Sequence, residues 1–254
     1  MDLLITARYS SSRLPGKILL DLGGRTVLSH SIMRAQAAGF SPILCTSTDV
    51  SDDVLAKEAS LHSIRVFRGS LLNKIERWAD CFVHFGLPSA HIVDGDDPYF
   101  DVSEIFSSME KLQRENWSLV QTSDRSDSGF ATLGMSITSD FIVTLADRSQ
   151  KLPSQNLDVI PWKKLLHFSD LVIKAADNFL TSDRETSIRL TLDYPEDLAI
   201  MRKIAGIFNY DVPRRLLEEY LVQNPVLLSI NEARTNDFLT NKKVQLERNF
   251  QIEG

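Results

Sequence analysis

Near its amino terminus the chain reads Ile5-Thr6-Ala7-Arg8-Tyr9-Ser10-Ser11-Ser12-Arg13-Leu14-Pro15-Gly16-Lys17. The apolar run Leu3 to Ala7, which leads into this segment, predicts a short buried strand, and a helical pattern follows over Val27 to Ala38. Three cations and a flexible turn therefore lie where a first strand ends. Strand, basic turn and helix form the first unit of the predicted fold.

The three cations of this turn are Arg8, Arg13 and Lys17. A nucleoside triphosphate carries several negative charges, which cationic side chains and the backbone N–H groups of a turn entering a helix neutralise. The spacing matches neither the G-x-G-x-x-G dinucleotide pattern nor the P-loop with its final Lys-Ser/Thr pair. The turn predicts a phosphate site, although a solvated basic turn would carry the same charges.

Strand and helix patterns alternate along the chain. Strands are predicted at residues 3–7, 42–46 and 64–67, and helices at residues 27–38, 52–59 and 71–85. Three successive strand–helix units imply a parallel, doubly wound sheet. Further along, the patterns predict a late strand over residues 187–192, helices over residues 195–208 and 212–228, and a charged tail without clear periodicity after Thr235.

Two acidic clusters follow apolar strand patterns. The first contains Asp94, Asp96, Asp97 and Asp101, and the second contains Asp193, Glu196 and Asp197. Ligands of doubly wound sheets bind beyond the carboxyl ends of the strands, and a hard cation such as Mg²⁺ would offset the repulsion between crowded carboxylates. The first cluster would equally suit a solvated turn, and the second a helix N-terminus.

Composition narrows the function classes. The chain has 254 residues, 43% of them hydrophobic and 24% charged, which indicates a folded α/β protein. A net charge of -6 argues against general nucleic-acid binding. Neither a signal-peptide pattern nor an apolar stretch long enough for a membrane span is visible, so we expect a cytoplasmic protein that binds no membrane. Cys45 and Cys81 are too few for a disulfide framework.

Three strings carry a resemblance to a known family: A-R-x-x-S-x-R-L-P-G-K over residues 7–17, Leu20-x-Leu22-Gly23-Gly24, and Leu28-x-His30-x-x-x-Arg34-Ala35. Together they resemble the signature of the bacterial cytidylyltransferases, which include the SpsF-type spore-coat polysaccharide proteins and the CMP-KDO and CMP-sialic acid synthetases. The resemblance implies a Rossmann-like, GT-A-like nucleotidyltransferase fold, a three-layer α/β sandwich with a mostly parallel, mixed central sheet. We expect this domain to span residues 1–235, with residues 236–254 as the tail.

The resemblance also implies a site. The strings around Asp96 and Asp193 resemble the family's G-D-x-P-L-x-D and L-T-V-D-T-P-E-D-L segments, whose matching aspartates are the family's magnesium ligands. Catalytic roles are implied for Arg13, Lys17, Asp96 and Asp193. Nucleotide contacts are implied for Ala7, Arg8, Ser11, Arg13, Lys17, Ser47, Arg68, Gly69, Ser70 and Asp94.

The implied reaction is transfer of CMP from CTP to an acidic sugar, KDO-like or a nonulosonic acid, with release of pyrophosphate and with Mg²⁺ as cofactor. Positioning and charge stabilisation would carry such a phosphoryl transfer. A homodimer is also implied. The apolar residues Leu217, Tyr220 and Leu221 on a late helix fit either its interface or the core.

The chain departs from the family pattern on the acceptor side. Ile92 and Asp94 stand where an Arg and a Thr are usual, and the segments Ser128–Met135 and Asn156–Pro161 lack expected charged residues. Arg125, Arg184 and Arg189 are the candidate partners of a sugar carboxylate. Two alternatives therefore stay open: a nucleotidyltransferase for a sugar phosphate or another phosphorylated small molecule, and a non-catalytic nucleotide-binding homologue.

Overall fold

A single mixed sheet forms the centre of the protein in the computed structural model, which describes residues 1–11, 13–121, 134–150, 157, 175–176 and 188–250. Its strands are β1 Asp2–Thr6, β2 Ser41–Ser47, β3 Arg65–Gly69, β4 Ser89–Asp94, β5 Leu119–Gln121, β6 Met135–Thr138 and β7 Ala175–Ala176. Their order in the sheet is β3-β2-β1-β4-β6-β5-β7. Neighbouring strands are parallel except that β6 runs antiparallel to β4 and β5. The predicted mostly parallel, mixed sheet is confirmed.

Helices connect most of these strands. They are α1 Val27–Ala37, α2 Asp53–Ser60, α3 Lys74–Phe85, α4 Val102–Arg114, α5 Ser139–Ser149, α6 Pro195–Ala205, α7 Arg214–Gln223, α8 Pro225–Leu228 and α9 Glu232–Phe250. Polar side chains begin several of them. The Thr26 hydroxyl accepts the backbone N–H of Ser29 at the start of α1, and Asn73 and Asp101 cap α3 and α4 in the same way.

Alternating side chains of β1 divide the core into two layers. Leu4 packs with Trp78 and Phe82 of α3 on one face of the sheet, and Leu3 and Ile5 pack with α1 and α2 on the other face. Because successive strand residues point to opposite faces, one strand supports both layers. The predicted three-layer α/β sandwich is confirmed. A third apolar cluster joins Tyr99 and residues 188–192 to α6 and α7.

Three sequence-based predictions of secondary structure differ from the structure. Residues 188–192 are buried but form no strand, although the N–H of Leu192 donates to the carbonyl of Asp96 at 2.8 Å. The helix predicted over residues 212–228 is divided between α7 and α8 at Asn224, since Pro225 follows. Residues 236–250 of the expected charged tail lie in α9, and the expected boundary at residue 235 falls within that helix.

Leu217 and Leu221 of α7 are fully buried in the third apolar cluster. Tyr220 is half-buried, with its ring edge-on to Phe208 at a centroid distance of 5.2 Å. Of the two roles open for this apolar stripe, the two leucines therefore belong to the core. Among the helices in the described part of the chain, none is long and apolar enough to span a bilayer.

Candidate active site

A cleft of about 340 Å³ opens at the carboxyl ends of β1 and β4. The residues that line it include seven of the predicted nucleotide-binding and catalytic positions: Ala7, Arg8, Ser11, Arg13, Lys17, Asp94 and Asp96. β1 and β4 are parallel neighbours, so the residues that follow them meet at one edge of the sheet. This edge is where doubly wound sheets bind ligands.

The turn before Lys17 directs that side chain inward. Gly16 has a left-handed backbone with φ of +66°, and the 3₁₀ turn Lys17–Leu19 follows it. A Cβ atom at residue 16 would lie 3.3 Å from the ring of Tyr9, so glycine serves both the conformation and the packing. The N–H of Tyr9 donates to Asp52 at 2.6 Å, which ties the loop to the end of β2.

Asp96 and Asp193 converge on the ammonium group of Lys17. The Nζ atom donates to both carboxylates, at 3.0 Å to Asp193 Oδ1, and also to the carbonyl of Leu192 at 2.8 Å. Arg13 donates to the same Asp193 oxygen at 2.5 Å. The two acids, 97 residues apart in sequence, thus share one cation. Lys17 and Asp96 line the cleft, whereas Asp193 is buried and is not among the lining residues.

This charge network alters the titration of its members. Burial lowers the pKa of Lys17, but the carboxylates of Asp96 and Asp193 outweigh it, so the pKa lies above its ordinary value. Burial raises the pKa of Asp193, but Lys17, Arg13 and Arg189 outweigh it in the other direction, so the net shift is downward. Both directions favour the ionised pair near neutral pH.

A second, fully buried network orients Asp193. Asp197 accepts the backbone N–H groups of Asp193 and Tyr194, both at 2.9 Å, and the guanidinium of Arg189 at 2.8 and 3.0 Å. Asn231 donates to Asp197 at 2.8 Å and to the carbonyl of Arg189 at 3.1 Å. Arg189 also donates to Asp193 at 3.2 Å. A buried ion pair between Arg189 and Asp197 therefore supports the loop that carries Asp193.

This network corrects one expectation about the acceptor side. The side chain of Arg189 is 0% exposed and pairs with two aspartates, so it does not face the cleft as a partner for a sugar carboxylate. Arg125 and Arg184 lie outside the described residues. Ile92, which stands in the place of a family arginine, is buried in the core of β4.

The acids at this edge have the donor chemistry of a magnesium site. Carboxylate oxygens of Asp94, Asp96 and Asp97 lie within 4.8 Å of one another, and Asp193 shares Lys17 with Asp96. Burial, followed by the charges of Asp96 and Asp94, raises the pKa of Asp97 well above its usual value. Mg²⁺ prefers oxygen ligands and usually takes one or two carboxylates together with phosphate oxygens. Asp94, Asp96 and Asp97 offer such oxygens together. The assignment of Asp193 as a second metal ligand stays a prediction.

Two predicted nucleotide-binding residues lie outside the lining of the cleft and brace the loop after β2. Ser47 is fully buried, and its hydroxyl donates to Asp52 at 2.5 Å. Arg68 donates to the carbonyls of Ser47 and Asp49, at 2.9 and 2.8 Å, and pairs with Asp53 at 2.6 Å. Their assignment to the nucleotide stays a prediction.

Gly69 and Ser70 also lie outside the lining, but they contact a residue that belongs to it. The carbonyl of Ser70 accepts Arg77 at 2.6 Å. A Cβ atom at residue 69 would lie 2.8 Å from the ring of Phe67 and 3.1 Å from Cγ of Arg77. The loop after β3 therefore positions Arg77 through close packing, and direct nucleotide contacts from Gly69 and Ser70 stay a prediction.

Several residues that line the cleft were not among the predicted site residues, namely Thr6, Ser10, Ile18, Lys74, Arg77 and Trp78. Trp78 Nε1 donates to the Thr6 hydroxyl at 3.1 Å, and Lys74 lies over the Trp78 ring at 5.8 Å. The helical spacing of residues 74, 77 and 78 on one face of α3 was the available signal. Only the position of β1 against α3 shows that this face meets the cleft.

Gly95, in the acidic turn after β4, had no assigned role in the predicted site. Its N–H donates to the carbonyl of Thr6 at 2.8 Å. A Cβ atom at this position would lie 2.9 Å from Cβ of Ala7 and 3.2 Å from the Thr6 carbonyl oxygen. The absence of a side chain lets the acidic turn approach the basic turn closely.

The chain is similar in sequence to known proteins. A family model described as cytidylyltransferase matches residues 3–229. The curated relatives include the 3-deoxy-manno-octulosonate cytidylyltransferase of Yersinia pseudotuberculosis serotype O:1b, which is 37% identical over 98 residues, 37% of this chain and 39% of the relative. The corresponding enzyme of Yersinia enterocolitica serotype O:8 is 32% identical over 139 residues, 54% of this chain and 51% of the relative. The matches thus span about half or less of these relatives.

Solved structures with the same fold include a cytidylyltransferase from Leptospira borgpetersenii serovar Hardjo-bovis. It has a TM-score of 0.76 and 23% identity, and the alignment covers 89% of this chain and 95% of that one. A CMP:2-keto-3-deoxy-manno-octonic acid synthetase complexed with CTP has a TM-score of 0.59 and 14% identity over 80% of this chain and 97% of its own. With the family model matching most of its length, the chain belongs to the cytidylyltransferase family.

Proposed function

We propose that the protein transfers CMP from CTP to an acidic sugar, KDO-like or a nonulosonic acid, in surface polysaccharide or glycoconjugate biosynthesis. The observation that carries the proposal is the ion-pair network that joins Arg13, Lys17 and Asp96, which line the cleft, to the buried Asp193. A triphosphate needs cations along its length and acids for its metal. The family membership supports cytidine as the base.

The cationic side chains of the basic turn would contact different parts of the triphosphate. The acceptor hydroxyl oxygen attacks the α-phosphorus and its proton passes to solvent. The bond from that phosphorus to the α–β bridging oxygen breaks, and pyrophosphate leaves with the bonding electrons. Arg13 and Lys17 would stabilise the charge that develops on the leaving pyrophosphate, and Arg8 would bind near the phosphates. No group of the site is assigned as a general base.

Asp96 and Asp193 are the residues that would hold Mg²⁺. A bound Mg²⁺ would neutralise phosphate charge and lower the pKa of the acceptor hydroxyl. The buried Arg189–Asp197 pair would keep Asp193 in place as the charges around it change. Fixed geometry of this kind reduces the reorganisation needed during reaction.

Two further attributes belong to the same proposal. We expect the enzyme to act in the cytoplasm as a homodimer, with no part for nucleic acids or membranes. Since Leu217 and Leu221 are core residues, an interface would use other surfaces. Membership of the SpsF-type subgroup is likewise proposed on the sequence strings alone.

Replacing Lys17 with methionine should strengthen metal binding to the nucleotide-free protein. In the nucleotide-free protein the Lys17 ammonium neutralises both acids, as a metal ion would. Without it the two carboxylates repel each other, and a divalent ion would relieve that repulsion. We expect Mn²⁺, titrated with calorimetric or EPR detection, to bind Lys17→Met at least about 10-fold more tightly than the unaltered protein, a change of about 1.4 kcal/mol.

The matched control is Lys57→Met, which removes an exposed cation from α2 and should leave Mn²⁺ affinity unchanged. Equal or weaker Mn²⁺ binding by Lys17→Met would show that Asp96 and Asp193 do not form the metal site.

Replacing Gly95 with alanine should lower kcat/KM for CTP by about 10- to 100-fold, because misplacement of reacting groups by about 1 Å has an effect of that size. The added methyl group would collide with Ala7 and the Thr6 carbonyl and push the acidic turn away from the basic turn. Steady-state pyrophosphate release measures the change. Gly206→Ala is the control, since its Cβ atom would meet its nearest neighbour at an ordinary 3.4 Å. Unchanged kinetics in Gly95→Ala would show that catalysis does not depend on this close approach.

The proposed function is tested by measuring pyrophosphate release with CTP, Mg²⁺ and a panel of 2-keto acid sugars, with sugar phosphates as a second panel. We expect release with CTP and an acidic sugar and none without an acceptor. Release only with sugar phosphates would support the second candidate acceptor class. Activity with UTP or ATP alone would contradict the proposal, and tight CTP binding without turnover on either panel would indicate a non-catalytic homologue.

A further inference from the structure

A second cavity, of about 220 Å³, lies between the loop of residues 22–25 and the segment of residues 205–210. It shares no lining residue with the cleft described above. Gly23 brings the two segments together, because a Cβ atom there would lie 2.9 Å from Cβ of Ala205. Leu22, Gly23 and His30, which belong to the sequence strings after the basic turn, thus border this cavity and not the cleft.

His30 is the unusual element of its wall. The side chain is 1% exposed, and neither ring nitrogen has a hydrogen-bond partner within the described part of the chain. Its ring meets Tyr99 edge-on at a centroid distance of 4.8 Å and Tyr210 at 6.4 Å. Buried polar groups of proteins are nearly always hydrogen-bonded. His30 lines the cavity, so a molecule that occupies it, water or a small ligand, is the available partner for a ring nitrogen.

The protonation of His30 limits what that partner is. Burial, followed by the cations of Arg34 and Arg25, lowers the pKa of His30 to about 3. The imidazole is therefore neutral near pH 7 and offers one N–H donor and one acceptor nitrogen. Arg34 is occupied by the carbonyls of Phe100, Tyr210 and Val212 at 2.6 to 2.9 Å, so it supplies positive potential without reaching into the cavity.

Arg25 supplies a cation at the wall of the cavity. It lies over the Tyr210 ring at 4.9 Å, and its hydrogen bond to Asn209 is long, at 3.4 Å. A guanidinium has five N–H donors, so donors remain for a ligand. The charged groups that act on His30 are both cationic, which favours an anion. The volume lies below the ~300 Å³ at which pockets accept drug-sized molecules, which limits the ligand to a few heavy atoms.

We infer that this cavity binds a small oxyanion, a carboxylate or a phosphate, with the His30 N–H as donor and Arg25 as the charge partner. The site is distinct from the proposed triphosphate cleft. The loop that forms one wall follows the 3₁₀ turn of Lys17 along the chain, so an occupant would contact the segment that leads out of the basic turn.

The test is an NMR titration of the full chain labelled with ¹⁵N-histidine, with the His30 ring signals assigned by their loss in His30→Phe. Sodium phosphate and sodium acetate are added separately, with sodium chloride as the ionic-strength control. We expect saturable shifts of the His30 ring nitrogens with at least one of the two oxyanions, and at least a 10-fold weaker response in Arg25→Gln. The anion that saturates the response, phosphate, acetate or both, identifies the class of oxyanion that binds.

Shifts that follow only ionic strength, with saturation by neither anion, would overturn the inference and leave a water-filled cavity. Saturation unchanged in Arg25→Gln would overturn the assigned charge partner. The phosphate titration is repeated on Lys17→Met, in which the proposed triphosphate cleft is impaired. The His30 ring signals should still shift with phosphate in that variant. The outcome is therefore independent of whether the protein transfers CMP.

Discussion

Replacing Asp96 with asparagine should lower kcat for pyrophosphate release from CTP by about 10³-fold, because the several kcal/mol that a metal ion contributes to charge stabilisation would be lost. The Asp96 side chain is 23% exposed and contacts Lys17. The change also relieves repulsion with Asp94 and Asp97, so the free energy of unfolding should change by less than about 1 kcal/mol. Steady-state kinetics and urea unfolding measure the two effects.

Asp96 gives a sharper test than Asp193, because Asp193 also neutralises Arg13 and Arg189 and its loss would disturb several buried charges. Asp49→Asn is a suitable control. Asp49 caps the 3₁₀ turn after β2 through Ser51 and does not line the cleft. A kcat for Asp96→Asn within a few-fold of the unaltered protein would show that this carboxylate holds no catalytic metal.

Replacing Asp197 with alanine should destabilise the protein by about 3–5 kcal/mol, the cost of breaking a buried ion pair by removal of one partner. Arg189 and Asp197 are both 0% exposed in their side chains. The same change would remove the acceptor of the Asp193 and Tyr194 N–H groups and of Asn231. Urea unfolding monitored by circular dichroism measures the loss.

A double variant separates the ion pair from the backbone contacts. Arg189→Met combined with Asp197→Leu removes both charges, so it should be more stable than Asp197→Ala alone even though the backbone N–H groups still lack their acceptor. A loss below about 1 kcal/mol in Asp197→Ala would mean that solvent reaches Arg189 and that the buried network does not hold the Asp193 loop.

The sheet was predictable because its first half obeys local rules. Apolar runs of strand length alternate with helices that begin at Asn, Asp or Thr caps, and β1 to β3 and α1 to α3 lie within a few residues of the predictions. The segment 188–192 was not predictable in this way. Its apolar residues are buried against α6 and α7, and a buried extended segment has the same sequence pattern as a buried strand.

The candidate site likewise contains some residues that the sequence patterns indicate and some contacts that they do not. The cations of one continuous turn and the acids of two strings were visible in the sequence, and the structure brings Asp96 and Asp193 into contact with Lys17. Their roles stay predictions. The support of Asp193 by Asp197 and Asn231, and the contact of Gly95 with Ala7, depend on residues far apart in the chain. No spacing rule connects such pairs, since tertiary packing alone brings them together.

A crystal structure of the protein with CTP and Mn²⁺, the latter standing in for Mg²⁺ and located by its anomalous scattering, tests the central claim most directly. We expect a metal peak between the carboxylates of Asp96 and Asp193, with the triphosphate against Arg13 and Lys17. A metal peak out of reach of either aspartate, or a triphosphate bound away from the basic turn, would contradict it.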